Sequence, residues 1–308
     1  MNETKKNISI VTVNFNQPGV TKELLDSIAS HKTQRELELI LVDNGSTTSP
    51  LPESWEAEFP AVTLIRSKKN TGFAGGNNIG IRQARGQYLF LVNNDTEFTP
   101  QLVDILADTL DAHPQVGMVS PKIRYHRQPD TLQYAGYSPM NYYTARNHCI
   151  GQFEKDRGQY DSLVGATAFA HGAAMMVRRE AMEKAGLMKE NYFLYYEELD
   201  WCESIRRAGY EIWVNMQALI YHKESVSVGK KSALKEYFMN RNRILFIRRN
   251  AAWHQRCVFY LYFSVVVAPR NILSYIREKQ RGFTRQLLRA IAWNLTHNVN
   301  SADTGWKP

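Results

Sequence analysis

Short apolar runs alternate with amphipathic stretches through the first third of the chain. Residues 8–13 (ISIVTV) and 37–42 (LELILV) are brief, rich in β-branched residues and closed by Asn or Asp, the pattern of buried strands. Between them, residues 20–30 place Leu24, Leu25 and Ile28 on one helical face. Residues 62–65 and 88–92 (YLFLV) predict two further strands. Helices are expected over 75–84 and 100–113, the second with Thr99 as N-cap and Pro100 in its first position. This βαβα order implies a largely parallel sheet with right-handed crossovers.

Periodicity then fades. Residues 121–161 are rich in Tyr, Arg, His and Gln and are expected to form irregular loops facing a substrate. A strand returns at 172–177, followed by helices over 179–185 and 199–208, the latter stopped by Gly209. Two short strands, 212–214 and 218–221, close the globular part. From 232 to 250 a long helix carries Leu234, Tyr237, Phe238, Ile244, Leu245 and Phe246, which cover more than one narrow stripe. No internal repeat is visible.

Composition narrows the class. Among 308 residues, 44% are apolar and 22% charged, enough for a sizeable core and too apolar for wholesale disorder. Cys149, Cys202 and Cys257 form no CxxC pair, which argues against a structural zinc site and a disulfide-stapled secreted domain. The polar first seven residues lead into only six mostly apolar ones, too few for a signal-peptide core. No run reaches the ~18 uncharged apolar residues of a spanning helix. These features predict a soluble, reduced, cytoplasmic protein. Its net charge of +8 is uneven: residues 230–289 hold 14 basic and 2 acidic residues, whereas residues 1–229 are net −4. The chain therefore divides by composition into 1–229 and a basic helical extension, 230–308, suited to anionic lipid or nucleic acid.

Polar residues gather at the carboxyl ends of the predicted strands: Asn14-Phe15-Asn16, Asp43-Asn44-Gly45-Ser46 and Asn93-Asn94-Asp95. In open parallel sheets, ligands bind in the crevice outside those ends. Each tip also has a plainer reading, since Asn-Gly is a common turn dipeptide and residues 93–95 could simply lead into a helix. Residues 70–78 (NTGFAGGNN) make a glycine-rich link into a helix. Small residues there let backbone N–H groups approach a phosphate or sugar, and a tight packing turn explains them equally. Glu197, Glu198 and Asp200 place three carboxylates in four positions beside aromatics. Acids at a helix start are favoured by its dipole; crowding and burial would also raise a carboxyl group's proton affinity and suit it to general-base work. His222 directly follows a strand, where a lone His is more often structural than a ligand.

Seven segments in order, VTVNFNQ, LVDNGS, NTGFAGGNNIG, YLFLVNNDT, GAAMMVRREAMEKAGL, YFLYYEELDWCESIRRAGY and IYHKESVSVGK, resemble the inverting family 2 glycosyltransferases, particularly their bacterial rhamnosyltransferase-like branch. The resemblance spans about residues 8–250. It implies a GT-A fold: a Rossmann-like, mostly parallel sheet flanked by helices, here with a C-terminal helical extension. It implies that Thr12, Asn14 and Asp43 hold the base and ribose of a dTDP- or UDP-sugar, rhamnose being the favoured sugar. Asn70, Gly72, Asn78 and Asn94 would line the diphosphate–sugar path. Asn93-Asn94-Asp95 stands where the family has Asp-X-Asp, so Asp95 would hold Mg²⁺ or Mn²⁺, with His222 at the position of a further ligand. Asn93 in place of the first Asp bears on how tightly the metal is held rather than on whether it is used. The family's base falls on Glu198, with Glu197 as its alternative and Asp200 orienting the site or the helix. The implied reaction is a single inverting displacement onto a hydroxyl of a glycan or polyprenyl-diphosphate-linked acceptor in cell-surface polysaccharide synthesis.

Residues 257–269 (CVFYLYFSVVVAP) are uncharged and lie between Arg256 and Arg270. As a helix this run would reach ~20 Å, short of the ~30 Å hydrocarbon core. Flanked by Arg248, Arg249, Arg277, Lys279, Arg281 and Arg285, it fits an interfacial element on anionic inner-leaflet lipid. A helical cap or a homo-oligomer contact fits the same residues, and the family resemblance favours the membrane: a protein peripheral on the cytoplasmic face of the inner membrane. Two rival functions remain. Nucleic-acid binding accounts for the charge but leaves the strand-tip carboxylates idle, and no recognised nucleic-acid module is present. A catalytically silent nucleotide-sugar binder is suggested by Asn93.

Overall fold

The computed structural model describes residues 7–223 and 232–306. The segment IYHKESVSVGK lies outside the described residues from Glu224 onward, as do the polar N-terminal residues 1–6 and the first two lysines of the extension. The first half runs β1 (Ile8–Asn14), α1 (Pro18–Ser30), β2 (Leu37–Asn44), a short α2 (Trp55–Glu58), β3 (Val62–Ser67), α3 (Gly72–Gln83), β4 (Tyr88–Val92), β5 (Thr96–Phe98) and α4 (Leu102–Ala112). Strands β6 (Val116–Tyr125), β7 (Gln128–Tyr134), β8 (Val164–Ala166) and β9 (Ala174–Arg178) follow, then α5 (Arg179–Ala185), α6 (Glu197–Arg207) and β10 (Glu211–His222). The extension folds as α7 (Ala233–Asn250), α8 (Trp253–Tyr262), α9 (Ala268–Arg277) and α10 (Arg281–Thr296).

One sheet, in the order β3-β2-β1-β4-β9-β6-β10-β5, organises the molecule. Strands β1 to β4 are mutually parallel, and most are apolar on both faces because helices cover both sides. Strand β9 enters antiparallel between β4 and β6, pairing Val92 with Ala174, so the segment before β9 lies at the same edge as the carboxyl end of β4. Strand β10 runs parallel to β6 and brings His222 opposite Thr96 of β5. The parallel order thus continues beyond β4 only after this antiparallel insertion. Its consequence is that the ends of β1, β2, β4 and β10 and the start of β9 share one rim.

Several elements differ from expectation for identifiable reasons. The stretch 121–161 contains the end of β6 and all of β7, an antiparallel pair. Its polar residues disguise it: Lys122 is buried because Asp156 and Asp161 lie 3.0 and 2.5 Å from its ammonium. Pro121 is tolerated in β6 because it sits where the β6–β10 register breaks, between Asn215 and Leu219. That same bulge joins the two expected strands at 212–214 and 218–221 into the single β10. Thr99 does not cap α4; its hydroxyl donates to the Leu219 carbonyl at 2.5 Å, and α4 starts at Leu102. Helix α3 starts at Gly72, so the glycines belong to the helix itself. A Cβ on Gly76 would lie 2.8 Å from Val13 Cγ1, and one on Gly80 only 2.4 Å from Val11 Cγ1. The glycine stripe therefore lets α3 lie directly on β1.

Two apolar clusters cover the two faces of the sheet. Helix α7 belongs to the larger one, with Ile244, Leu245, Phe246 and Ile247 buried together with Tyr192 and Trp201. The compositional boundary at 229/230 is thus no boundary in packing. Helices α8 and α9 join through a π-helical turn (Phe263–Val267) into one helix, Trp253–Arg277, of 25 residues, with an 18-residue stretch of mean hydropathy 1.4. By length and composition it could cross a membrane, which the 13-residue uncharged run alone does not suggest. One side of it, through Phe259, Phe263, Val267 and Tyr275, packs on the body. The other exposes Trp253, Leu261, Val265, Leu273 and Ile276.

Candidate active site

The strand tips line a cleft of about 430 Å³, within the range of small-molecule sites. Its walls include Phe15, Asn44, Asn70, Gly72, Asn77, Asn93, Asn94, Asp95 and Phe193. A hydrogen-bonded line crosses its floor: Asn94 Nδ2 donates to Thr21 Oγ1 (2.9 Å), Thr21 Oγ1 to Asn14 Oδ1 (2.9 Å), and Asn14 Nδ2 to Asp43 Oδ1 (3.0 Å). Asp43 also accepts from Ser46 Oγ at 2.5 Å and from the Leu51 N–H at 3.2 Å. These bonds make Asn14 and Asp43 braces of the rim. Asn44 spends its whole amide on the next loop, donating to Asn70 Oδ1 and Gly72 O and accepting from Thr71 N and Oγ1. Gly72 has φ +73, and a Cβ there would collide with the Phe193 carbonyl at 2.1 Å, so this glycine allows the loop to meet Phe193.

Two expected donor residues face elsewhere. Thr12 is fully buried in the sheet with its hydroxyl unpartnered among the described residues; the period of two along β1 sends Val13, not Thr12, to the cleft. Asn78 donates to the Met188 carbonyl and to Glu190 Oε1, both at 2.9 Å, bracing the segment before α6. Its neighbour Asn77 lines the cleft instead. Phe15, 36% exposed beside Asn14, is the cleft residue that the strand-tip pattern contained without singling out.

Asp95 and His222 come together as the resemblance implied, with Oδ1 and Nε2 3.1 Å apart and both side chains buried. On the ring's other side, Nδ1 lies 2.8 Å from Gln133 Oε1, an acceptor that the Nδ1–H tautomer satisfies. In a neutral ring, Nε2 would then turn a lone pair toward the carboxylate oxygen. Two such acceptors in a buried site need a proton or a cation between them. Two ligands bound at ~2.1 Å and at right angles stand ~3 Å apart, so the pair fits a divalent ion that keeps its other positions for water and phosphate oxygens. Among the described residues no group of three or more His, Cys, Asp or Glu side chains is arranged to hold a metal ion.

The first turn of α6 also reaches the segment before β9. A Cβ built on Gly172 would touch Glu198 side-chain carbons at 3.6–3.8 Å, so Glu198 faces the segment just before β9. The adjoining Ala173 carbonyl accepts from the Asn93 N–H at 2.9 Å. The segment before β9 therefore touches Glu198 at Gly172 and, at Ala173, the backbone two residues before Asp95. Burial raises the Glu198 carboxyl above its ordinary range; burial and the charge of Glu198 raise Glu197 well above it. Glu197 is only 3% exposed, whereas Glu198 keeps partial exposure. Asp200 is not at this centre. Its Oδ1 accepts from Tyr192 Oη, Arg249 Nε and Asn250 Nδ2, tying α6 to α7. His171, beside Glu198's segment, is held neutral, pushed down to about 3 by burial and by nearby His222.

The turn into α6 is strained. Phe193, Tyr195 and Tyr196 have φ of 64, 72 and 73, left-handed values that each cost about 1–3 kcal/mol for such residues. The compensation comes from α7, where the buried Asn242 directs Nδ2 at the carbonyls of Tyr192, Leu194 and Tyr195 at 2.8–2.9 Å. A polar residue inside a helix apolar on several sides was the sequence signal for it.

Comparison with known proteins agrees with this geometry. Residues 9–186 match the Glycosyl transferase family 2 model. The N-acetylglucosaminyl-diphospho-decaprenol L-rhamnosyltransferase of Mycobacterium tuberculosis is 23% identical over 268 residues, covering 80% of this chain and 86% of that one. Among solved structures, S. aureus TarS 1–349 in complex with UDP-GlcNAc aligns at TM-score 0.59 with 15% identity, over 92% of this chain and 81% of that one. The mannosyltransferase PcManGT of Pyrobaculum calidifontis, in complex with GDP-Man and Mn²⁺, aligns at TM-score 0.56 with 16% identity, over 95% and 88%. With more than half its length matched and its strand tips and carboxylates gathered on one rim of a GT-A sheet, the chain belongs to glycosyltransferase family 2.

Proposed function

We propose that this enzyme transfers a sugar, rhamnose being favoured, from a dTDP- or UDP-sugar to a hydroxyl of a polyprenyl-diphosphate-linked glycan, inverting the anomeric configuration. The observation that carries this reading is that the segment before β9 meets both groups: Gly172 lies against Glu198, and the His171 ring is 6.2 Å from that of His222, which pairs with Asp95. The donor's diphosphate lies in the cleft toward Asp95, with its base near Phe15. Held by Asp95 and His222, Mg²⁺ or Mn²⁺ would supply positive charge for the departing diphosphate oxygens. Glu198, its proton affinity raised by burial, accepts the proton of the acceptor hydroxyl. The hydroxyl oxygen bonds to the anomeric carbon as the bond to the diphosphate breaks on the opposite face, so one displacement inverts the centre. Asn93 and Asn94 contribute neutral side chains near the diphosphate in place of a second carboxylate.

A lipid-linked acceptor is supported by the name of the mycobacterial relative and by the surface of α8 and α9. One side of this helix packs on the body, and its exposed apolar side is suited to lie in the interface. Arg270, Arg277, Lys279, Arg281 and Arg285 are exposed around it, each worth about 1 kcal/mol near anionic headgroups. Arg248 and Arg249 do not join them, being turned inward onto Asn294, His297 O and Asp200. This reading makes the protein peripheral on the cytoplasmic face of the inner membrane.

The test is transfer from dTDP-, UDP- and GDP-sugars to N-acetylglucosaminyl-diphospho-polyprenol with Mg²⁺ or Mn²⁺. Glu198→Gln should bind donor yet lose transfer; normal turnover in that variant removes Glu198 from the role. Donor binding by the wild type without any turnover would instead make it a silent nucleotide-sugar binder. For the membrane, reversing Arg277, Lys279, Arg281 and Arg285 to Glu should abolish flotation with anionic vesicles, and unchanged flotation defeats that part.

A further inference from the structure

The cleft continues past Asn70 and Phe193 into an outer chamber of about 760 Å³, and the two share Phe15, Asn70, Phe193 and Leu234. Lys68 and Lys69 stand on the chamber's β3 side. The facing wall is Ala302, Thr304 and Trp306, from the C-terminal end of the chain and far beyond the family-matched residues.

This wall is built. Three consecutive carbonyls are each taken by a different side chain: Asp303 O by Trp293 Nε1 (3.0 Å), Thr304 O by Tyr237 Oη (2.8 Å) and Gly305 O by Arg289 Nη2 (2.9 Å). Gly305 has φ +67, and a Cβ there would lie 2.3 Å from Tyr237 Oη, so the chain can make this approach only as glycine. The Trp306 ring lies 5.4 Å from that of Tyr237 and 5.9 Å from that of Phe238. Phe238 in turn stacks on Phe193, 5.1 Å away, the residue common to both chambers. An aromatic line thus connects the end of the chain to the cleft.

We propose that residues 302–306 form the outer wall of the donor site, and that this chamber receives the nucleoside half of a nucleoside-diphosphate sugar. The proposal rests on the reading of the cleft as a donor site. If the diphosphate lies toward Asp95, the nucleoside must extend past the half-exposed Phe15, whose face can stack on a planar base, into the outer chamber. The lining's one carboxylate, Glu190, is paired with Arg82 at 2.9 Å, so Lys68 and Lys69 leave that route the positive potential an anionic donor needs. Trp306 and its neighbours are then donor-binding determinants supplied by the extension.

The experiment is calorimetric titration of the full chain with UDP and dTDP in Mg²⁺, alongside donor KM and kcat. Trp306→Ala should raise Kd and donor KM about five- to tenfold with kcat within about twofold, and Trp306→Phe should restore most of the affinity. Ala302→Glu places a carboxylate in the chamber without touching the bonds that fix the wall, and should weaken binding at least as much. It decides the matter if Trp306→Ala fails to fold. Wild-type affinity in folded Ala302→Glu and Trp306→Ala overturns the proposal. Failure of the wild type to bind either nucleotide overturns the donor-site reading on which it stands.

Discussion

Asn242 offers the sharpest test of how the reaction centre is held. Its amide supports three carbonyls of a segment in which three non-glycine residues are left-handed, and no water reaches it, since its side chain is fully buried. Asn242→Ala takes this donor from all three, and among the described residues only the Tyr192 carbonyl keeps another, the Leu194 N–H at 2.8 Å. A lost neutral hydrogen bond costs about 0.5–1.5 kcal/mol and an orphaned buried acceptor about 1–3. Allowing for relaxation of the strained turn, a destabilisation of roughly 2–4 kcal/mol follows. In a chain of this size that lowers Tm by roughly 3–6 °C. The functional effect should be larger than stability explains. The relaxed turn moves Glu198, and a 1 Å displacement of a catalytic group can cost ~10²-fold in kcat. Asn242→Asp refines the test. It preserves the oxygen that accepts from Arg241 Nη1 at 2.6 Å but replaces the donor with an acceptor aimed at three carbonyls. It should therefore be worse than Ala. Thermal unfolding, nucleotide Kd and kcat measured together decide the point. A stability loss of the expected size with kcat intact shows a merely structural asparagine, and an Asp variant better than Ala shows that its donors do not hold the turn.

Further outcomes follow from the same structure. The carboxyl of Glu197 is raised by burial, so its charged form penalises folding above the ordinary carboxyl pKa and costs nothing where both states are protonated. Glu197→Gln should accordingly raise Tm at pH 8 and leave it nearly unchanged at pH 4; equal gains at both would show that burial of the charge is not the cause. The activity of the wild type should fall on acidification at a pH above the usual Glu range, because Glu198 must be unprotonated to act, and an acid limb at the ordinary position would contradict this. Gly80→Ala should destabilise by about 1–3 kcal/mol in urea unfolding despite Ala's better helix propensity, since its methyl meets Val11 Cγ1 at 2.4 Å. Chelation should abolish transfer, Asp95→Asn should not be rescued by added metal, and His222→Ala should need a higher metal concentration; His222→Ala with an unchanged metal requirement separates that ring from the site.

The rim was legible in the sequence because a strand buried on both faces reads as an unbroken apolar run, and its first polar residues mark its end. Asp95, His222 and Glu198 could be placed in order along the chain on that basis and by family resemblance. Orientation within the rim was not legible. Thr12 differs from Val13, and Asn78 from Asn77, by one position, which turns a side chain to the opposite face of a strand and by about 100° around a helix. The β6–β7 pair was hidden for a different reason: Lys122 and Arg124 look solvated until Asp156, over thirty residues away, satisfies both. The antiparallel entry of β9 carries no local signature, because pairing direction is decided by strands remote in sequence.

The basic extension shows why charge alone misassigns residues. Arg241 is fully buried over the Trp293 ring at 3.9 Å, Arg249 holds Asp200, and Asn242 lies between them supporting the turn into α6. Arg277, Lys279, Arg281 and Arg285 belong to the same excess of positive charge but face outward. One population therefore ties the extension to α6 and the turn before it while the other is available to a surface. Deleting the extension removes both, so loss of activity or of vesicle binding in such a deletion would follow from unfolding as readily as from lost contact with lipid. Reversing only the outward charges leaves every hydrogen bond of Asn242 and Arg249 in place. A variant so altered that still transfers sugar to a soluble acceptor, but no longer to one embedded in anionic vesicles, would separate the chemistry from its address.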